Sequence, residues 1–255
     1  PLQAGAIGVT GSPAANALAR EADCVLAVGT RLQDFTTGSH SLFPQATLVS
    51  LNVNGFDALK WHGTMLRADA RRGLEALSAA LGGWRSDEGW RARATDEAAR
   101  WRADLARVTG VRDAALPCDG EVIGAVQRSA ADSPRDDIVV CAAGTLPGEL
   151  HKLWRTSAPG GYHVEYGYSC MGYEIAGGIG VKIAHPDREV IVVVGDGSYL
   201  MLNSEIATSV MLGRKLVVVV LDNRGYGCIS RLQQAVGGAP FNNLLDDCTA
   251  NGGTA

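Results

Sequence analysis

Two runs of consecutive apolar residues constrain the fold of this chain more than any other feature. Val190 to Val194 and Leu216 to Leu221 are apolar at every position. A strand without a polar side belongs in a sheet that is covered on both faces, and such strands are typical of parallel sheets in α/β proteins. Both runs are therefore predicted to be central strands of a parallel sheet.

Strand-like and helix-like segments alternate along most of the chain, which predicts an α/β fold with two doubly wound parallel-sheet domains. The expected domains are a partial one at residues 1–83 and a larger one, truncated at its C-terminus, at residues 116–255. Residues 84–115 are rich in Arg, Ala, Asp and Glu, and they are predicted to form a helical connector. The predicted strands are residues 24–29, 47–52, 137–142, 189–194 and 215–221, and the predicted helices are residues 14–21, 71–81, 120–130, 147–154, 171–184 and about 203–211.

Composition narrows the class of partner. The net charge is −4 and the chain has no run of Lys and Arg, so we expect a small-molecule substrate and no nucleic-acid or membrane partner. No apolar segment approaches the roughly 20 residues that cross a bilayer, and the six cysteines lack paired metal-type spacing. We expect a soluble protein of the reducing cytoplasm. The chain starts at Pro1 rather than Met and is expected to be a fragment of a longer protein.

The residues directly after the two apolar runs carry the candidate chemistry. Gly195-Asp196-Gly197-Ser198 follows the first run, and its glycines let the backbone approach an anion such as a diphosphate. Asp196 offers a hard oxygen ligand of the kind that Mg²⁺ prefers. Between Gly197 and Asp222 lie 24 residues, enough for a helix and a returning strand, and Asp222-Asn223 follows the second run. Asp196 and Asn223 are therefore expected to meet at the carboxyl ends of adjacent strands.

This spacing resembles the signature of thiamine-diphosphate enzymes, in which the second segment most often reads Asn-Asn. Here Asp222 replaces the first Asn, whereas the position of the metal ligand keeps Asn223. The resemblance implies thiamine diphosphate and Mg²⁺ as cofactors, with the metal held by Asp196, Asn223 and the carbonyl of Gly225. It also implies that Gly197, Ser198 and Tyr226 lie at the cofactor.

The segment from Glu165 to Glu174 is similar to one in the acetohydroxyacid-synthase-like members of that family. The similarity implies that Met171 lies under the bent cofactor, that the carbonyl of Ser169 accepts a bond from its aminopyrimidine, and that Cys170 is close by. Gly144 and Thr145 follow another predicted strand and are expected near the diphosphate. Among the histidines, His163 is the candidate for proton transfer because it precedes the Met171 segment.

The resemblance also orders the domains and the candidate activities. Residues 1–83 resemble the middle domain of these enzymes, and residues 116–255 resemble the domain that binds thiamine diphosphate and magnesium. Within the family, the tyrosine-rich sequence from Glu165 to Glu174 most resembles the ring-opening hydrolases of myo-inositol breakdown. This resemblance implies a C–C bond hydrolase acting on a cyclic 1,2-diketone. The alternatives are a carboligase or decarboxylase acting on 2-oxo acids, and a non-catalytic α/β nucleotide-binding module.

Family membership further implies a residue that this chain does not supply. The glutamate that activates the cofactor lies in an N-terminal domain, which nothing here matches. The fragment alone is therefore expected to be inactive, and the full-length protein is expected to be a homodimer or homotetramer with active sites built across subunits.

Overall fold

The computed structural model describes residues 3–129, 136–156 and 158–250. The chain divides after Val108 into two compact units, and each contains one sheet of parallel strands. This confirms the predicted fold class of two parallel α/β domains. The predicted end of one helix at Ala130 lies outside the described residues.

The first unit contains a three-stranded parallel sheet with the order β1-β2-β3. Its elements in chain order are α1 (Pro13–Glu21), β1 (Cys24–Val28), α2 (Asp34–Thr37), β2 (Thr47–Asn52), α3 (Gly55–Ala58), a 3-10 turn (Lys60–His62), β3 (Thr64–Arg67), α4 (Ala70–Leu81) and α5 (Glu88–Val108).

The two strands predicted in this unit differ in burial. β2 is the central strand, and Ser50, Leu51 and Asn52 at its carboxyl end are buried. The apolar composition of residues 24–29 also predicts a buried strand, but β1 is an edge strand whose Leu26 is 40% exposed, so that prediction was wrong. β3 escaped prediction because Thr64–Arg67 has neither an apolar run nor a clear alternation.

The helix expected between residues 84 and 115 is α5, which packs along α1 within the first unit. Arg93 on α5 forms an ion pair at 2.6 Å with Glu21, the last residue of α1. The exact limits of the domains and of the connector stay predictions. None of the described helices combines the length and the apolar character needed to cross a membrane.

The second unit contains a four-stranded parallel sheet with the order β5-β4-β6-β7. Its elements in chain order are α6 (Asp119–Arg128), β4 (Ile138–Cys141), α7 (Leu146–Leu153), β5 (Tyr162–Val164), α8 (Tyr173–Ala184), β6 (Val190–Gly195), α9 (Asp196–Leu202), α10 (Glu205–Met211), β7 (Val217–Leu221), α11 (Gly227–Ala235) and α12 (Leu245–Ala250).

The core of the second unit is the layer between α8 and the strands β4 and β6. It contains Ile138 and Val140 from β4, Ile175 from α8, and the alternate residues Val190, Val192 and Val194 from β6. β6 is therefore a central strand, as predicted. β7 is instead an edge strand of the described sheet, and Val220 is 42% exposed, so the prediction of a second central strand was wrong.

The first helix of the unit is fixed by a carboxylate. The Glu121 side chain accepts a hydrogen bond from the backbone N–H of Cys118 at 2.8 Å and forms an ion pair with Arg112 at 2.6 Å. The Arg112 guanidinium and the backbone N–H groups of Cys118 and Arg112 lower the pKa of Glu121 to about 2. Because α6 begins at Asp119, this cap determines where that residue lies.

The strand order places a topological switch point between β4 and β6. From β4 the chain continues to β5 on one side, whereas β6 and β7 lie on the other. Ligands of open parallel sheets bind in the crevice at the carboxyl ends of strands at such a point. The Gly-Asp-Gly segment begins there, since α9 starts at Asp196 itself. The helix predicted at about 203–211 is α10, and the short helix α9 precedes it.

Candidate active site

A cleft lies at the switch point of the second unit and encloses ≈ 540 Å³ of empty space, part of it open to solvent. Its walls are the segments that follow three strands: residues 143–146 after β4, 195–198 after β6, and Leu221 with most of residues 223–229 after β7. Met171 and Asp119 complete the lining.

Asp196 is the residue in the cleft with the clearest unmet bonding capacity. Its Oδ2 accepts a hydrogen bond from the backbone N–H of Gly225 at 2.7 Å, which ties the β6 loop to the β7 loop. Its Oδ1 is buried, and no described residue donates a hydrogen bond to it. An anionic oxygen in that state is costly unless a cation or a donor completes it. Asp196 therefore fits the role of a metal ligand.

The chemistry of the neighbouring donors suits magnesium. Asn223 lines the same cleft, and its Oδ1 makes only a long contact of 3.4 Å with the backbone N–H of Gly227. The described residues contain no group of three His, Cys, Asp or Glu side chains that could bind a metal by themselves. A metal here must draw on carboxylate, amide and backbone carbonyl oxygens, which is the donor set that Mg²⁺ prefers.

The loop after β7 is shaped by two residues with positive φ, Arg224 at 65° and Gly225 at 136°. A Cβ on Gly225 would lie 2.5 Å from the backbone carbonyl oxygen of Asn243, so only glycine fits. Asp222 holds the start of the turn, since its Oδ1 accepts from the backbone N–H of Arg224 at 2.8 Å. Asp222, which replaces the first Asn of the usual Asn-Asn pair, thus has a local structural role.

Gly197 is required by the close approach of the Tyr226 ring. A Cβ there would lie 2.8 Å from the Tyr226 ring and 3.6 Å from the terminal methyl group of Met171. The Gly-Asp-Gly, Met171 and Tyr226 segments therefore converge on one point.

Ser198 lies at this point, but its hydroxyl group is already engaged. It donates to the carboxylate of Glu174 at 2.8 Å and accepts from the backbone N–H of Gly172 at 2.7 Å. The side chain of Ser198 is therefore turned toward the protein interior, and its backbone is left to face a ligand. The sequence analysis gave Glu174 no role, because an acidic residue in the first turn of a helix is common.

The segment before Met171 is organised by Glu165. Its carboxylate accepts from the backbone N–H groups of Tyr168 at 2.9 Å and Cys170 at 2.8 Å, and these bonds lower the pKa of Glu165. Ser169 adopts a φ of 53°, and its hydroxyl group donates to the carbonyl of Ala142 at 3.0 Å. Met171 lines the cleft, whereas Ser169 and Cys170 are exposed residues outside its lining.

Gly144 and Thr145 line the cleft from the loop after β4. The Thr145 hydroxyl group is hydrogen-bonded to Arg231 on α11. Asp119, which sequence reasoning missed, lines the same cleft, and its pKa is raised by burial and by Glu149 against the opposing effect of Arg231. No local pattern marks Asp119, because it lies far from the other site residues in sequence.

The structure does not bring His163 into this cleft. His163 lies on β5, and its Nε2 is 2.7 Å from the hydroxyl oxygen of Tyr173. Both side chains line a separate groove together with Tyr162 and His185.

Comparison with known families agrees with this geometry. Residues 1–77 match the thiamine pyrophosphate enzyme central domain, and residues 142–248 match the thiamine pyrophosphate enzyme C-terminal TPP binding domain. The second match contains all three loops of the cleft. The chain therefore contains the central domain and the C-terminal TPP binding domain of thiamine pyrophosphate enzymes. Thiamine diphosphate is another name for thiamine pyrophosphate, so these matches support the predicted cofactor.

Among curated proteins, the chain is similar to several that share the name 3D-(3,5/4)-trihydroxycyclohexane-1,2-dione hydrolase. The protein of Geobacillus thermodenitrificans is 43% identical over 94% of this chain and 40% of its own length. That of Bacillus subtilis is 39% identical over 93% of this chain and 41% of its own length. That of Clostridium perfringens is 38% identical over 93% of this chain and 40% of its own length. The chain thus spans about two fifths of the length of the curated relatives it matches.

Proposed function

We propose that this chain is part of a thiamine-diphosphate-dependent hydrolase that opens the ring of 3D-(3,5/4)-trihydroxycyclohexane-1,2-dione to give 5-deoxy-glucuronate, a step of myo-inositol degradation. The observation that carries the proposal is the cleft at the switch point, where the unpartnered Oδ1 of Asp196 lies in one lining with Asn223 and Gly225. The relatives named for this hydrolase, at 43% and 39% identity, support a cyclic diketone over 2-oxo acids and over a non-catalytic module.

The proposed reaction needs a nucleophile that also accepts electrons. When bound, thiamine diphosphate supplies a carbon nucleophile and an electron sink for cleaving the bond between two adjacent carbonyl carbons. The net reaction breaks one C–C bond and consumes one water, which leaves a carboxylate on one carbon and a hydrogen on the other. The task of the protein is to hold cofactor and substrate in register and to limit the access of water.

In this proposal the metal is magnesium, held by Asp196, Asn223 and the backbone carbonyl of Gly225. The hydrogen bond from the Gly225 N–H to Asp196 Oδ2 supports this set, because it fixes the two loops that would share the ion. It also leaves Asp196 Oδ1 as the oxygen available to the cation.

The diphosphate is proposed to lie against Gly197, the Ser198 backbone, Gly144 and Thr145, all of which line the cleft. Met171 provides an apolar surface beside Gly197 and is proposed to support the bent cofactor. Ser169 and Cys170 are proposed to contact the same ligand from the exposed segment that Glu165 organises. His163 has no role in this proposal because it lines another groove.

We also propose a homodimer or homotetramer of the full-length protein, located in the cytoplasm. Large apolar side chains on α9, α10 and α11 support an oligomer, since Leu200, Met211 and Leu232 are 69%, 85% and 65% exposed in the described chain. Five described cysteines are free thiols, which agrees with a reducing compartment.

Binding of the cofactor is tested first, by calorimetric titration of thiamine diphosphate into the full-length protein with and without Mg²⁺. We expect binding that requires Mg²⁺ and that is lost in Asp196→Ala. Asp187→Ala removes an exposed carboxylate before the amino end of β6 and serves as the matched control, which should bind like the wild type. Equal titrations of all three proteins would refute the assigned metal site.

The substrate is tested by steady-state assays of the same full-length protein on the trihydroxycyclohexane dione and on pyruvate. We expect water-dependent ring opening of the dione, detected as a new carboxylate, and no turnover of pyruvate. Decarboxylation or carboligation of pyruvate without action on the dione would refute the proposed reaction while leaving the cofactor site intact.

A further inference from the structure

Glu174 is a buried carboxylate that the proposed reaction does not use. It lies in the first turn of α8, is 1% exposed, and is not part of the cleft lining. A carboxylate at that depth is unfavourable unless hydrogen bonds satisfy its oxygens. Its partners therefore show what the side chain contributes to the fold.

Each hydrogen-bond partner of Glu174 comes from a different segment of the cleft wall. Oε1 accepts from the backbone N–H of Ala143 at 3.3 Å, and Oε2 accepts from that of Gly172 at 3.1 Å. The Ser198 hydroxyl group donates to the carboxylate at 2.8–2.9 Å. Ala143 begins the loop after β4, Gly172 follows Met171, and Ser198 follows Gly197.

The bonds around Glu174 form a closed set. The Gly172 N–H also donates to Ser198 Oγ at 2.7 Å, so the turn after Met171 and the start of α9 are joined both directly and through Glu174. No Lys or Arg among the described residues forms an ion pair with Glu174. Its negative charge is balanced by these donors and by the N-terminal end of α8.

From this arrangement we propose that Glu174 is a positioning residue, which sets the separation between Met171 and the Gly197–Ser198 segment and so determines how the cofactor is held. The inference rests on the proposed function, because it assigns those two segments to the cofactor. Residues that orient ligand-binding groups from behind typically change affinity when they are altered, even though they touch no ligand.

The test compares Glu174→Gln with the wild type in the full-length protein. Glutamine keeps the volume but replaces one acceptor oxygen with an N–H₂ group, which faces N–H donors and breaks the closed set. At saturating Mg²⁺ we expect the Kd for thiamine diphosphate to rise about 10- to 100-fold, the range seen when such supporting partners are lost. We also expect a changed near-UV circular dichroism of the bound cofactor, because its orientation shifts.

Glu189→Gln is the matched control. Glu189 pairs with Lys215 at 2.9 Å, next to the amino end of β6 and away from the cleft. This variant should bind within twofold of the wild type and give the same spectrum. Ser198→Ala removes the same link from its other end, and we expect it to weaken binding in the same direction, which keeps the test decisive if Glu174→Gln folds poorly.

The outcomes separate the two proposals. If the wild type binds the cofactor and the folded Glu174→Gln or Ser198→Ala variant binds within twofold with an unchanged spectrum, the positioning role is wrong. A loss of thermal stability alone, without a change in Kd, also overturns it, since a purely structural carboxylate would behave that way. If the wild type shows no magnesium-dependent binding, the proposed function fails and this inference fails with it.

Discussion

Replacing Asp196 by Asn should change the stability of the protein in opposite directions with and without cofactor. Without Mg²⁺, Asp196 Oδ1 is a buried charged oxygen with no donor among the described residues. Leaving a buried polar group unsatisfied costs roughly 1–3 kcal/mol, and more for a charged one. Asparagine removes the charge and can still accept from the Gly225 N–H through its carbonyl oxygen. We therefore expect the free energy of unfolding of the apo variant to equal that of the wild type or to exceed it by up to about 1 kcal/mol.

With Mg²⁺ and thiamine diphosphate the order should reverse. A ligand at about 100 times its Kd stabilises the folded state by roughly 2.7 kcal/mol, and the variant should lose most of that gain. The net difference of about 2 kcal/mol corresponds to a shift of several degrees in Tm for a domain of this size. Thermal unfolding of the full-length protein, scanned with and without both ligands, measures the two differences.

Asp222→Asn is the control for removing an aspartate charge from the same cleft region. Its side-chain oxygen can still accept from the Arg224 N–H, so the turn is kept and the response to Mg²⁺ and cofactor should match that of the wild type. If Asp196→Asn destabilises the apo and loaded protein equally, the unpartnered oxygen is not a metal ligand and the reasoning is wrong.

Three further outcomes follow from the described contacts. The pKa of Glu121 is lowered from 4.5 to about 2, so its ionised form stabilises the fold above pH 4.5. This contribution disappears as the pH falls toward 2. In urea unfolding across that range, the stability of Glu121→Gln should therefore depend less on pH than that of the wild type. Iodoacetamide at pH 8 should modify the exposed Cys170 but not Cys141, because burial raises the pKa of the Cys141 thiol to about 12; peptide mass spectrometry should detect both only after unfolding. Gly225→Ala should abolish magnesium-dependent binding of thiamine diphosphate in calorimetry, since its Cβ would meet a backbone oxygen at 2.5 Å, and normal binding would refute the assigned loop geometry.

The parts of the fold that could be predicted from sequence are those with a local cause. β6 is apolar at each position because both of its faces are covered, and the glycines after it are needed where the backbone approaches other groups. Asn223 could be placed opposite Asp196 because the intervening length fits one return of the chain. These signals depend on neighbours in sequence or on one strand pairing, so they survive without knowledge of the tertiary structure.

Other features depend on neighbours that the sequence does not show. The sequence of β7 is as apolar as that of β6, but β7 lies at the edge of the described sheet. No pattern within the strand tells an edge position from a central one. Asp119 enters the cleft only because the cap at Glu121 fixes the start of α6. Glu174 acquires its role from three donors that lie on three separate segments, the most distant at Ala143.

The charges of the cleft support the proposal that its cofactor binds together with a metal. Asp119 and Asp196 line the cleft, Glu174 lies behind its wall, and the described lining contains no Lys, Arg or His. Arg231 is close, but its guanidinium is hydrogen-bonded to the Thr145 hydroxyl group and also faces Asp119. A diphosphate placed here without a cation would meet carboxylates in a partly desolvated site, where like charges repel more strongly than in water. Backbone N–H groups can orient the anion, and the divalent cation that we propose at Asp196 would offset the negative charge of these carboxylates. The carboxylates of the cleft and the scarcity of basic groups around it therefore support the proposal that the diphosphate binds together with magnesium.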